Sequence, residues 1–89
     1  MAAGSKTSLR GLRTFCVAAR HESFRTASEQ LFITPSAVSH QVKSLEEELG
    51  VRLFDRTSRE LRLTPTGRAF FEEVSPLIDN LDEIAASYR

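Results

Sequence analysis

The chain has 89 residues, carries 12 basic and 12 acidic side chains, and so has a formal net charge of zero. That length suffices for one small domain and excludes a second independent core, while the neutral sum excludes a ligand-binding mode that relies on bulk positive charge alone. A single cysteine, Cys16, excludes an intramolecular disulfide and fits a reducing, cytoplasmic compartment. The start "MAAGSKTS" lacks the apolar core of a signal peptide, and no run approaches the roughly 20 apolar residues of a membrane helix.

In chain order, Leu9, Leu12, Phe15, Cys16 and Ala19 recur at three- and four-residue steps, which predicts an amphipathic helix over residues 8–21. Ser23 is a suitable N-cap for a short second helix through about Leu31, with Phe24, Ala27 and Leu31 facing inward. A turn at "FIT" follows. Thr34 then caps a third helix whose first residue is Pro35, where a missing N–H costs nothing, and Gly50 suits a left-handed stop. Beyond Gly50 the period changes: "VRLF" and "ELRLT" are short alternating runs joined by "DRTSR", the pattern of a β-hairpin. Thr64-Pro65 repeats the cap of Thr34-Pro35 and opens a last helix to about Tyr88, inside which Pro76 removes one backbone hydrogen bond and is a place for a kink. Two short helices joined by a tight turn and followed by a hairpin make a mainly α fold, a winged helix-turn-helix, here with a long helix after it.

The third helix carries the functional signal. Stepping about 100° per residue from Val38 gathers Val42, Leu45 and Leu49 into one buried stripe and sends Ser36, His40, Lys43 and Glu47 to the opposite side, with Ser39 and Ser44 on its shoulders. Isolated serines near a helix start usually serve as caps and solvated surface. Between a turn and a basic hairpin, however, this small, polar, donor-rich face suits a major groove about 12 Å wide, where the helix N-terminus adds partial positive charge.

Charge is partitioned along the chain. Up to Lys43, six basic residues meet only Glu22 and Glu29; from Ser44 to Gly50 come Glu46, Glu47 and Glu48; from Val51 to Thr64, Arg52, Arg56, Arg59 and Arg62 oppose Asp55 and Glu60; the last helix is acidic again. The three glutamates read as a solvated helix end, and Arg56 and Arg59 at the hairpin tip as phosphate contacts that add affinity without reading sequence. Arg52 and Arg62 alternate with apolar residues and read more readily as an edge kept from pairing. In the last helix the apolar stripe up to about Val74 covers the domain's own core, which leaves Leu77, Ile78, Leu81 and Ile84 in need of a partner.

The segment from "LRTFCVAARHESF" through "SAVSHQVKSLE" and "LFDR" to "LTPTG" resembles the N-terminal DNA-binding region of LysR-type transcriptional regulators, and the resemblance covers nearly the whole chain. It implies a winged helix-turn-helix domain over residues 7–64, with the helix-turn-helix at about 23–42 and a linker and dimerisation helix over 65–89. By position, Pro35, Ser36, Ser39 and His40 match groove-facing residues, and Gln41 and Lys43 lie where groove or phosphate contacts are made. Arg25 and Thr26 match the phosphate-contacting start of the second helix, and Arg56, Thr57 and Arg59 match the wing. Many members carry Gln or Ser in place of Pro35 and Arg in place of His40.

The implied partner is a double-stranded DNA operator, bound as a homodimer that pairs through Leu77, Ile78, Leu81, Ile84 and Tyr88, with a tetramer open for the full-length protein. No membrane is involved, and a small-molecule effector would act only through the family's C-terminal domain, which is absent from this chain. The competing class is a winged-helix protein-interaction module, which the neutral charge favours. An enzyme is excluded by the want of a Gly-rich phosphate loop, a nucleophile with its base, or usefully paired carboxylates, and no metal or other cofactor is expected, since His21 and Cys16 match no spaced ligand set.

Overall fold

A computed structural model describes residues 7–57 and 60–89. Its elements run α1 (Leu9–His21), α2 (Phe24–Leu31), α3 (Pro35–Leu49), β1 (Phe54–Asp55), β2 (Arg62–Leu63) and α4 (Pro65–Ser87). Each helix begins where a hydroxyl satisfies an amide that the first turn leaves unbonded. Ser8 accepts from the Gly11 N–H at 3.2 Å, Ser23 from Thr26 at 3.0 Å, Thr34 from Ala37 at 3.0 Å and Thr64 from Gly67 at 2.9 Å. Gly50 ends α3 at φ +74°, as a left-handed stop requires. α4 continues through Pro76, which deprives the helix of one bond without ending it.

α1 is the central element, packed by α2 and α3 on one side and α4 on another. Phe15 is fully buried at the centre, with ring centroids 5.6 Å from Phe54, 5.5 Å from Phe70 and 6.4 Å from Phe71; Phe24 meets Phe54 at 5.4 Å. Such tilted and edge-on pairs are each worth about 0.5–1.5 kcal/mol beyond the burial itself. They tie α1, α2, the wing and α4 into one core. Cys16 lies within this core, and burial pushes its thiol up to about 11, so it stays protonated and unreactive at neutral pH.

α4 runs antiparallel to α1. Arg13 holds Asp82 through Nη1 at 2.8 Å, and Arg20 donates to Ser75 at 3.1 Å and approaches Asp79 at 3.8 Å. This pairing extends the core one turn beyond Val74 and corrects one expectation: Ile78 is only 5% exposed and belongs to the domain's own interior. Leu77, Leu81, Ile84 and Tyr88 remain exposed on a neighbouring face of the helix.

The wing is shorter than the alternating runs suggest. Among the described residues only Phe54↔Leu63 and Asp55↔Arg62 pair as strands. Beyond them one backbone bond continues, from the Thr64 amide to the Leu53 carbonyl, while the Leu53 and Phe54 amides turn to the Glu46 carboxylate and the Arg52 carbonyl accepts from the Thr64 hydroxyl. Groups committed to those partners cannot extend the ladder.

Phe32 ends α2 in the left-handed region, at φ +59°, with its side chain 93% exposed. A bulky residue there costs on the order of 1 kcal/mol and recovers nothing by burial. Phe32→Asn is therefore expected to raise stability by about 0.5–1 kcal/mol in urea unfolding, because Asn tolerates this conformation. Equal or lower stability would mean that the ring has a partner in the folded domain.

Candidate nucleic-acid interface

α2, the turn at Phe32–Thr34 and α3 form the helix-turn-helix. The turn is tied back to α2 by the Ile33 N–H on the Ser28 carbonyl at 3.1 Å, so α3 leaves at a fixed angle. Val38, Val42 and Leu45 are buried against the other helices. That anchoring turns Pro35, Ser36, His40 and Lys43 to solvent, with Ser39 half-buried beside them. The side chains of Ser36, Ser39, His40 and Lys43 are engaged in no hydrogen bond or ion pair among the described residues. The structure thus brings these predicted groove residues together as one patch of uncommitted donors and acceptors at the amino end of the helix.

Gln41 departs from this patch. The buried hydroxyl of Thr14 on α1 donates to its Oε1 at 2.6 Å, because Gln41 sits on the α1 side of the helix rather than beside Ser36 and His40. Its carbonyl oxygen is already used, and only its amide N–H groups remain for a phosphate. Arg25 and Thr26 occupy the first turn of α2; Arg25 is exposed and 3.8 Å from Glu29, a loose i,i+4 pair that a phosphate could displace at little cost.

Arg56, expected as a phosphate contact at the wing tip, is engaged within the domain. Its side chain is only 28% exposed; Nη1 lies 3.0 Å from Glu46 Oε1, and the guanidinium stacks 5.6 Å from the centre of the Phe24 ring. Nη2 is buried and has no hydrogen-bond partner among the described residues. Glu46 correspondingly is no solvated helix end. It is 6% exposed and accepts from the Leu53 amide at 2.8 Å and the Phe54 amide at 3.1 Å as well as from Arg56. Glu46 and Glu48 lie about 80° to either side of Val38 and Glu47 lies opposite it, so the helical azimuth sets Glu47 apart but does not by itself separate the buried Glu46 from the exposed Glu48. What decides between them is which side the wing returns to, a contact between elements that periodicity does not reveal.

Thr57 faces its own turn: Asp55 Oδ1 accepts from its amide at 2.9 Å and its hydroxyl at 2.6 Å. These two bonds hold the Asp55 carboxyl below the usual carboxylate range, so it stays ionised and the turn stays closed. Arg59 lies outside the described residues. No group of three His, Cys, Asp or Glu side chains among the described residues could hold a metal, and no described helix is long and apolar enough to cross a membrane.

Residues 9–68 match the family model for bacterial regulatory helix-turn-helix proteins of the lysR family. The chain is 49% identical over 75 residues to the glycine cleavage system transcriptional activator of Escherichia coli K12, covering 84% of this chain and 25% of that one. It is 51% identical over 77 residues to the transcriptional activator AmpR of Pseudomonas aeruginosa, covering 86% of this chain and 25% of that one. The chain thus spans about a quarter of the length of these relatives. Among solved structures, the BenM DNA-binding domain in complex with benA site 1 DNA superposes with a TM-score of 0.83 at 36% identity, covering 91% of each chain.

Proposed function

The chain belongs to the lysR family of bacterial regulatory helix-turn-helix proteins, and on that premise we propose that it binds double-stranded DNA in a sequence-specific manner, with α3 in the major groove and the wing along the backbone. The observation that carries this reading is the acid-free amino half of α3, where Ser36, Ser39, His40 and Lys43 are presented with no partner of their own. Short hydroxyls permit close approach, while His40 and Lys43 can donate to base edges or phosphates. Arg25 and Thr26, at the start of α2, fit a flanking phosphate together with the helix N-terminus. Residues 7–64 serve as the DNA-binding unit and 65–89 as the connecting helix.

The partner of α4 is a second copy of the chain. Leu77, Leu81, Ile84 and Tyr88 are 45–87% exposed along one side of a helix whose other side is already packed on α1. A twofold dimer closes this stripe and presents two copies of α3 to two half-sites of an operator, which places the work in the cytoplasm where the chromosome is.

Duplexes selected from a random pool provide the test. Ser39→Ala and His40→Ala are expected each to weaken the selected site by about 1–3 kcal/mol and to relax base preference at one position per half-site, with unrelated duplex little affected. Variants that bind the selected site like the parent would remove α3 from the groove. A parent that selects no duplex would favour a protein partner for the same face.

A further inference from the structure

Between the second half of α3 and the chain entering the wing lies an open concavity of about 460 Å³, lined by Lys43, Glu46, Glu47, Arg52 and Arg56 among others. Resting on the DNA-binding reading above, we propose that this concavity seats one backbone phosphate of the bound duplex, that Arg52 and Lys43 are its contacts, and that Glu47 opposes them.

The placement follows from topology. With α3 in the major groove and the wing along the backbone, the strand that divides the two grooves must cross the junction between those elements. This concavity is that junction. It adjoins the reading face, since Lys43 belongs to both.

The charges are not equivalent. Arg56 and Glu46 neutralise one another at 3.0 Å, and the free nitrogen of Arg56 is buried, so that pair adds little to the field at the rim. Lys43 and Arg52 are exposed and make no ion pair or side-chain hydrogen bond among the described residues. Among the described acids that line the concavity, Glu47 is exposed and has no partner; Asp55, outside the lining and held by Thr57, also attracts Arg52. The sequence pattern assigned Arg52 to edge protection, yet β1 begins only at Phe54, so Arg52 has no strand edge to protect.

The backbone that carries Arg52 is fixed before any ligand arrives. Gly50, at φ +74°, reverses the chain beside α3; the Arg52 carbonyl accepts from Thr64 at 2.6 Å, and the next amide bonds to Glu46 at 2.8 Å. Only the side chain itself must be ordered on binding, and that is the condition under which one arginine contributes most to affinity.

The test measures affinity of the whole chain for its selected duplex and for an unrelated duplex across a salt series. Arg52→Ala is expected to weaken both duplexes several-fold and to lower the slope of log K against log salt by about 1, leaving the melting temperature unchanged. Glu47→Gln is expected to strengthen both. Duplexes carrying a single neutral methylphosphonate, moved along the backbone, add a positional readout: at one phosphate per half-site the loss seen with the parent is expected to vanish in Arg52→Ala. An unchanged slope in Arg52→Ala, or losses that add at every phosphate, overturns the proposal while DNA binding stands. A parent that binds no duplex overturns both.

Discussion

Gly67→Ala is expected to cost the domain about 3 kcal/mol, a large share of the stability available to so small a fold, whereas Gly11→Ala is expected to raise stability by up to about 1 kcal/mol. The two glycines occupy the same place in their helices, three residues after the capping Thr64 and Ser8. What differs is the space outside the backbone. A Cβ on Gly67 would stand 2.0 Å from the Leu53 carbonyl oxygen and 2.8 Å from its carbon; a Cβ on Gly11 would meet nothing nearer than Ser8 Cβ at 3.8 Å.

Leu53 cannot retreat to make room. Its carbonyl accepts from the Thr64 amide at 3.0 Å, its own amide is held by Glu46, and its side chain is fully buried. Either α4 tilts away from the wing or those bonds break, and the modest gain in helix propensity that favours Gly11→Ala is overwhelmed. Urea unfolding followed by far-UV circular dichroism measures both variants. Parental stability in Gly67→Ala would show that α4 and the wing are not in contact as described.

The contrast explains what could be read from the chain in advance. Caps and stops are local: Ser23, Thr34-Pro35, Gly50 and Thr64-Pro65 each act within a turn of themselves, and the helix boundaries they announce are found, while Ser8, read as the first helical residue, proves to be the cap of α1. The uncommitted face of α3 was legible for the same reason, since helical periodicity alone separates it from Val38, Val42 and Leu45. Gly67 stands in a recognisable motif, but its reason, the approach of Leu53, is a contact between elements. Ile78 is covered because α4 follows α1 to the Arg13–Asp82 pair, whose members are 69 residues apart.

The charge blocks were informative in sign and misleading in amount. Arg13 faces Asp82, Arg20 faces Asp79, Arg25 faces Glu29, Arg56 faces Glu46 and Arg62 faces Glu60, so five cations of the basic blocks have an acidic neighbour within the domain, the Arg56–Glu46 pair being the least exposed. The positive charge left for a polyanion is narrower and better placed than a count suggests. Around the proposed reading face it lies with Lys43 and Arg52 at the edge of α3, and with Arg25 at the start of α2, whose pair with Glu29 is loose.

Glu46→Ala is expected to be the most damaging single change, costing about 3–5 kcal/mol, because removing one member of a buried ion pair leaves the other charge without compensation. Here the loss is compounded. The Leu53 and Phe54 amides lose their acceptor, and among the described residues Arg56, one of whose nitrogens already lacks a partner there, keeps only the Phe24 ring. Glu46→Gln should fall between parent and alanine: the amide oxygen can still serve the two backbone groups, but the pair loses its charge.

Comparison with Arg56→Ala and with the double variant separates the bridge from simple burial. Once Arg56 is absent, truncating Glu46 strands no charge, so the double variant is expected to be less damaged than the two single losses predict, by about 1–3 kcal/mol. Strict additivity would deny that the two side chains act together. The arrangement matters for function because it joins the last turn of α3 to the first residues of the wing by three hydrogen bonds from one carboxylate. If α3 and the wing grip a duplex together, their relative position is set at Glu46, a residue whose carboxylate is spent on the protein's own groups.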